Sequence, residues 1–147
     1  MTGNAGDDVR ALYETFPYPN PALGERLIHD VANMVAFIFP KEALAGKQVL
    51  DAGCGTGQRL LALAKAFPQT SFVGIDIANA SLETARALAT AHHIQNVRFD
   101  RMDILSCRLK EKFDLIVSTG VIHHLVDPAR GLDNLCSHLA HDGAIVL

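Results

Sequence analysis

A strand of buried character that runs straight into three glycines constrains this chain more than any other feature. In VLDAGCGTGQ, Val49 to Gln58, apolar Val49 and Leu50 lead into Gly53, Gly55 and Gly57, and a helical pattern opens directly afterwards. Three glycines in five residues cost conformational entropy, so they belong where backbone must turn tightly and let a ligand come close. A strand, such a turn and a helix in that order open a βαβ unit, and open α/β sheets bind ligands at the carboxyl ends of their strands.

The pattern repeats downstream. QVLDAG reads as a first strand, and QRLLALAKAF as a helix with Leu60, Leu63, Ala64 and Phe67 on one face. SFVGIDI is a second strand, and SLETARALATAHH a second helix that turns Leu82, Ala85, Leu88 and Ala89 inward. NVRFDRMDI and FDLIVSTGV read as the third and fourth strands. Asp127-Pro128 is a helix start, Asp as cap and Pro at the first helical position. That helix is expected to run through Leu132, Leu135 and Leu139 to a turn at Asp142-Gly143, with AIVL beginning a fifth strand. Apolar strands alternating with helices predict an α/β, doubly wound, mostly parallel sheet with helices on both faces, a Rossmann-like core. The chain stops inside a strand of buried character, which we read as a fragment of a longer protein. The unfinished sheet edge is then a surface through which another chain could pair.

Upstream of this core the signals differ. Met1 to Arg10 reads as a mobile polar leader, and ALYETFPYPNPALG as an extended, stiff piece, because Pro17, Pro19 and Pro21 restrict themselves and the residues before them. Leu23, Leu27, Val31, Met34, Val35 and Ile38 recur at helical spacing, predicting a helix from about Ala22 to Phe39. We therefore divide the chain into a cap or lid, residues 1–45, and a ligand-binding core, residues 46–147. At 147 residues the whole is about one domain's length.

Composition narrows the function classes. With 49% hydrophobic and 20% charged residues the chain has a globular balance, which excludes low-complexity and disordered readings. A net charge of -3 disfavours nucleic acid as a partner. Cys54, Cys107 and Cys136 form no CxxC pair, so neither a disulfide framework nor a zinc site is expected, and a reducing cytoplasm fits. No membrane partner is expected, since the longest apolar stretch, Val31 to Pro40, falls far short of the roughly 20 residues a bilayer requires.

Two acids identify the ligand class. A dinucleotide site takes Gly-x-Gly-x-x-Gly, but the third residue after Gly55 is Gln58. Asp51, two residues before the first glycine, would repel a pyrophosphate and suits a ligand carrying an amino group. Asp76 ends the second strand, 19 residues after Gly57, where an acid typically accepts from ribose hydroxyls. The site is read as built for a nucleoside with a cationic tail.

VLDAGCGTG, followed by VGIDIA, RMDIL and FDLIVSTGVIHHLVDP, resembles the class I S-adenosylmethionine-dependent methyltransferases over roughly Gly46 to Leu147. The resemblance implies S-adenosylmethionine as cofactor and S-adenosylhomocysteine as product. It implies that Gly53, Gly55 and Gly57 pack against the methionine and ribose parts, and that Asp51 helps hold the amino group. Asp76 would take both ribose hydroxyls, with Ile77 against the adenine face. Asp103 would accept from the adenine amino group, with Ile104 beside it. Ser118 and Gly120 would line the methionine side. Members of this family have seven strands, the last two forming an antiparallel edge, and this chain reaches the fifth.

Methyl transfer from a sulfonium needs donor and acceptor held in line, and no nucleophile or metal constellation. His123 and Tyr18 are the catalytic candidates: His123 near the methyl group, the Tyr18 hydroxyl toward the methionine carboxylate or the acceptor. Tyr13, Phe16 and Tyr18 either cover the core or form a lid. His123-His124 is not expected to bind a metal, since neighbouring residues at a strand end point apart. The acceptor is not specified, small molecule or macromolecule. A non-catalytic cofactor- or partner-binding module of the same fold is the alternative, and an NAD(P)-binding oxidoreductase domain a more distant one.

Overall fold

The computed structural model describes residues 5–16, 18 and 24–147. Five strands form one sheet: β1 Gln48–Ala52, β2 Ser71–Asp76, β3 Val97–Arg101, β4 Phe113–Val117 and β5 Leu139–Val146. Their order is β3-β2-β1-β4-β5, and every neighbouring pair is parallel. The order reverses between β1 and β4, so the chain leaves the two strands in opposite directions and opens a crevice at their carboxyl ends.

Side chains alternate across the sheet and build a core on each face. One face packs Val49, Phe72, Leu115 and Val117 against α2 (Asp30–Ile38), α4 (Gln58–Ala66) and α5 (Asn79–Ala91). The other packs Leu50, Ala52, Val73, Ile75 and Ile116 against Ile104, Phe113 and Leu135 of α6 (Pro128–Cys136). The expected inward residues of α4 and α5 are all buried. Helix α6 starts as read: Asp127 accepts from the N–H of Arg130 at 3.0 Å, and Pro128 follows it.

Four expectations need correction. Residues 5–10, read as leader, and Ala11–Thr15, read as extended, form one helix, α1 (Ala5–Thr15). The prolines that suggested extension come after it; Pro17, Pro19, Pro21 and the stretch to Leu23 lie outside the described residues. Helix α2 begins at Asp30, not Ala22, because Gly24 takes a left-handed φ of +59°. Of the residues read at helical spacing, Val31 and Val35 are buried, whereas Met34 and Ile38 are exposed. Helix α6 ends at Cys136, and Leu139 already pairs with Phe113 in β5. Just beyond the helix the imidazole of His138 accepts from the N–H of Leu109 at 3.1 Å. The Asp142-Gly143 turn is a bulge within β5, where the register shifts between Phe113 and Leu115. A Cβ on Gly143 would come within 2.7 Å of the Phe113 carbonyl. A short helix, α3 (Lys41–Leu44), joins α2 to β1. No helix among the described residues is long and apolar enough to cross a membrane.

Candidate functional site

The site is a cavity of about 390 Å³ at the carboxyl ends of the strands, within the size range of small-molecule sites. The glycine turn forms its floor. Gly53, Gly55 and Gly57 all take left-handed φ values, 84°, 55° and 76°, which only glycine adopts without strain. The N–H groups of Gly53 and Cys54 both donate to the Ile75 carbonyl, at 2.8 and 3.0 Å, which ties the turn to the end of β2. The N–H of Gly55 donates to Asp76 Oδ2 at 2.8 Å, and the N–H of Ala78 to Asp76 Oδ1 at 2.9 Å. Each Asp76 oxygen thus keeps a lone pair for a further donor.

Asp51 contrasts with Asp76. It is 8% exposed, and no hydrogen bond to it from a described residue offsets that burial. Desolvation, reinforced by the charge of Asp76 and opposed by Arg59, pushes its carboxyl up to about 7. Burial likewise raises Asp76, although the backbone N–H groups of Ala78 and Gly55 pull the other way. An unpartnered carboxylate at a cavity wall favours a cationic group placed against it.

Of the residues singled out from sequence, Asp51, Gly53, Gly55, Asp76, Ile77, Asp103, Ile104, Gly120, His123 and Tyr18 line this one cavity. Asp103 Oδ1 accepts from the N–H of Leu105 at 2.9 Å, so one of its oxygens is already engaged in a turn. Gly57 and Ser118 are not on the wall. Gly57 lies behind the turn, where a Cβ would sit 2.7 Å from the Ala85 Cβ. The Ser118 hydroxyl donates to the Ala52 carbonyl at 2.8 Å and is buried. His123 and His124 follow β4 in a single 3-10 turn with ring centroids 4.0 Å apart, and both are on the wall. Tyr13 joins Tyr18 there, while Phe16 is 67% exposed and does not line the cavity.

A sequence model of the methyltransferase domain matches residues 43–147. The chain belongs to the methyltransferase domain family. Among curated relatives of this methyltransferase-domain chain, an uncharacterised protein of Synechococcus is 32% identical over 154 aligned positions, covering 99% of this chain and 37% of that protein. Trans-aconitate 2-methyltransferase of Deinococcus radiodurans is 38% identical over 100 positions, covering 68% of this chain and 36% of that enzyme. Among solved structures, PKMT2 of Rickettsia typhi in complex with AdoHcy superposes with a TM-score of 0.64 at 30% identity, over 69% of this chain and 20% of that one. The chain therefore spans little more than a third of the length of these curated relatives.

Sequence reasoning missed Arg59 and Val9. Arg59 lines the cavity and donates through Nε to both carboxylate oxygens of Asp30, at 3.1 and 2.9 Å. A signal for it exists in the sequence: Arg59 sits in the first turn of α4, where the helix dipole disfavours a cation that lacks an anion nearby. Val9, on α1, carries no such signal; its place depends on how α1 docks. Glu14 at the end of α1 accepts from the N–H groups of Asn79 and Ala80, at 2.9 and 3.2 Å, and so caps α5.

Proposed function

We propose that the chain is the cofactor-binding core of an S-adenosylmethionine-dependent methyltransferase, which passes a methyl group by in-line displacement to an acceptor. The observation that carries this reading is Asp51: a carboxylate 8% exposed, unrelieved by any described hydrogen-bond donor, on the wall of a cavity that also holds Asp76. Two carboxylates there oppose the pyrophosphate of a nicotinamide dinucleotide, and both suit the amino group and ribose of S-adenosylmethionine.

The residues fit that cofactor. Asp51 would take the ammonium, and the free lone pairs of Asp76 the two ribose hydroxyls. Ile77 and Ile104 are the apolar wall available to the adenine, and Asp103 keeps one oxygen for its amino group. Bound there, S-adenosylmethionine supplies a methyl group activated on a sulfonium sulfur, so the leaving group departs neutral. The chain's own work is to orient and to exclude water. Val121, Leu125 and Val126, with His123 and His124, are the side of the wall we assign to the acceptor. Residues 1–45 act as its cap, through Val9, Tyr13 and Tyr18. The free cysteines Cys54, Cys107 and Cys136 suit a cytoplasmic location.

Calorimetric titration of S-adenosylhomocysteine, with NADH as control and Asp76→Ala as the matched variant, tests the cofactor. The expected result is micromolar binding (about -8 kcal/mol), abolished in the variant and absent for NADH. A folded chain that takes up NADH and ignores S-adenosylhomocysteine would overturn the assignment.

A further inference from the structure

We propose that Arg59 is the receptor for the carboxylate of the cofactor's amino-acid tail, and that Asp30 holds its guanidinium in position for that contact. The proposal rests on the S-adenosylmethionine reading above and assigns a part of the ligand which that reading leaves unheld.

An amino-acid tail is a zwitterion. Asp51 answers its ammonium, but Asp51, Asp76 and Asp103 on the same wall repel its carboxylate. Among the described residues, Arg59 is the one Lys or Arg that lines the cavity. It also carries charge near Asp51, whose carboxyl it acts to stabilise, so the two groups form a plus and a minus suited to a zwitterion.

The geometry keeps Arg59 available. Asp30 engages Nε alone, at 3.1 and 2.9 Å, and Tyr18 lies alongside, its ring centroid 5.8 Å from the Arg59 Cζ. A guanidinium carries five N–H donors in a planar fork, so the terminal nitrogens can still meet a carboxylate in the paired manner that lysine cannot reproduce. Burial alone would weaken the charge of Arg59, but its hydrogen bonds to Asp30 and Tyr18 more than offset this. The backbone fixes its approach to the turn. The N–H of Thr56 donates to the Tyr18 carbonyl at 3.1 Å, and that of Ile28 to the Gln58 carbonyl at 3.2 Å. The side-chain amide of Gln58, 2% exposed, donates to the Gly24 carbonyl at 3.1 Å. Tyr18, Gly24 and Ile28 are thus tied to the residues on either side of Gly57, next to Arg59.

The test compares S-adenosylhomocysteine with its decarboxylated analogue, which keeps the amine, by calorimetry on this chain and on Arg59→Gln. Wild type is expected to prefer the carboxylate-bearing ligand by about tenfold to a hundredfold, the range for a hydrogen-bonded charge pair. Arg59→Gln is expected to erase that preference and leave affinity for the analogue within about threefold of wild type. Asp30→Asn, which retains the Arg59 charge and loosens its hold, should narrow the preference; it also serves if Arg59→Gln fails to fold. A preference retained in Arg59→Gln, or unchanged in Asp30→Asn when that is the variant that folds, overturns the proposal and leaves the cofactor reading intact. Wild type that binds both ligands equally does the same. Wild type that binds neither ligand overturns both.

Discussion

The glycine turn after β1 and the upstream residues Val9, Tyr13 and Tyr18 line the same cavity, yet different physics holds each part in place. The turn is set by backbone conformation and close packing: three left-handed glycines, two N–H groups on one carbonyl of β2, and no room for a Cβ at Gly53 or Gly57. The described upstream residues are held by polar contacts of two kinds: ion-pair and capping contacts near the surface, Glu14 on α5 and Asp30 on Arg59, and bonds to the turn through Thr56 and the buried Gln58 amide. A turn built by packing resists change at its own residues. An exposed polar pair such as Asp30–Arg59 costs little to loosen and so acts on the ligand more than on the fold.

The sharpest test of that division is Gly57→Ala. At φ 76° a Cβ costs about 1–2 kcal/mol, and its 2.7 Å approach to the Ala85 Cβ adds about 1–3 kcal/mol of overpacking. Urea unfolding should show a loss of about 2–5 kcal/mol. A loss below about 1 kcal/mol would mean that the turn is not held by packing. Gly53→Ala offers a useful contrast, because its Cβ meets Val121 Cγ2 at 2.5 Å and Val121 is on the cavity wall. There, binding should fall along with stability.

Asp51 comes next in size. Its folded carboxyl, raised to about 7 by burial and by Asp76, lies above the ordinary value near 4. The sign follows: the folded form holds the proton more tightly, so this contribution is fully present below about pH 4 and is lost as pH rises through 7. The loss is on the order of 2–4 kcal/mol. Asp51→Asn should flatten that part of the stability profile and make the unliganded chain more stable at pH 8. It should also weaken S-adenosylhomocysteine binding most at high pH, where the lost charge is fully developed. If thermal melts of Asp51→Asn and wild type differ by the same amount at pH 5 and pH 8, Asp51 is not the buried, unpaired group described here.

How legible each region was in the sequence follows from the same contrast. The turn could be read because its causes are local. The glycines and the apolar strand before them are neighbours in sequence, Asp76 at the end of β2 stands at a recognisable spacing from them, and the sheet, α4 and α5 follow from periodicity. The upstream residues could not be read in this way. Three prolines drew attention to extension, while Ala5–Thr15 is helical, and the helix expected from Ala22 starts at Asp30 because Gly24 turns the chain first. Gly57 and Ser118 show the limit inside the motif itself. Each belongs to one of the matched stretches, Gly57 to the glycine turn and Ser118 to the end of β4, but one serves packing against Ala85 and the other a bond to the Ala52 carbonyl. Residue type and spacing indicate that a position matters without indicating which way its side chain is spent. Arg59 is the converse: its partner Asp30 lies 29 residues away, and only tertiary structure brings the two together.

The smallest expected effect on stability therefore belongs to Asp30→Asn. The pair is partly exposed, with side chains 26% and 52% accessible for Arg59 and Asp30, and exposed ion pairs contribute about 0–1 kcal/mol. Asp30 Oδ1 also accepts from its neighbour's N–H, Val31, at 2.7 Å, a contact that asparagine retains through its own carbonyl oxygen. Urea midpoints of wild type and variant should then nearly coincide. Dissociation of S-adenosylhomocysteine should nevertheless quicken, because the guanidinium that meets its carboxylate is no longer held. A variant that loses several kcal/mol of stability would place the pair among the packed parts of the molecule and erase the distinction from the glycine turn. One that changes neither stability nor ligand release would make the Asp30–Arg59 pair an ornament of the surface.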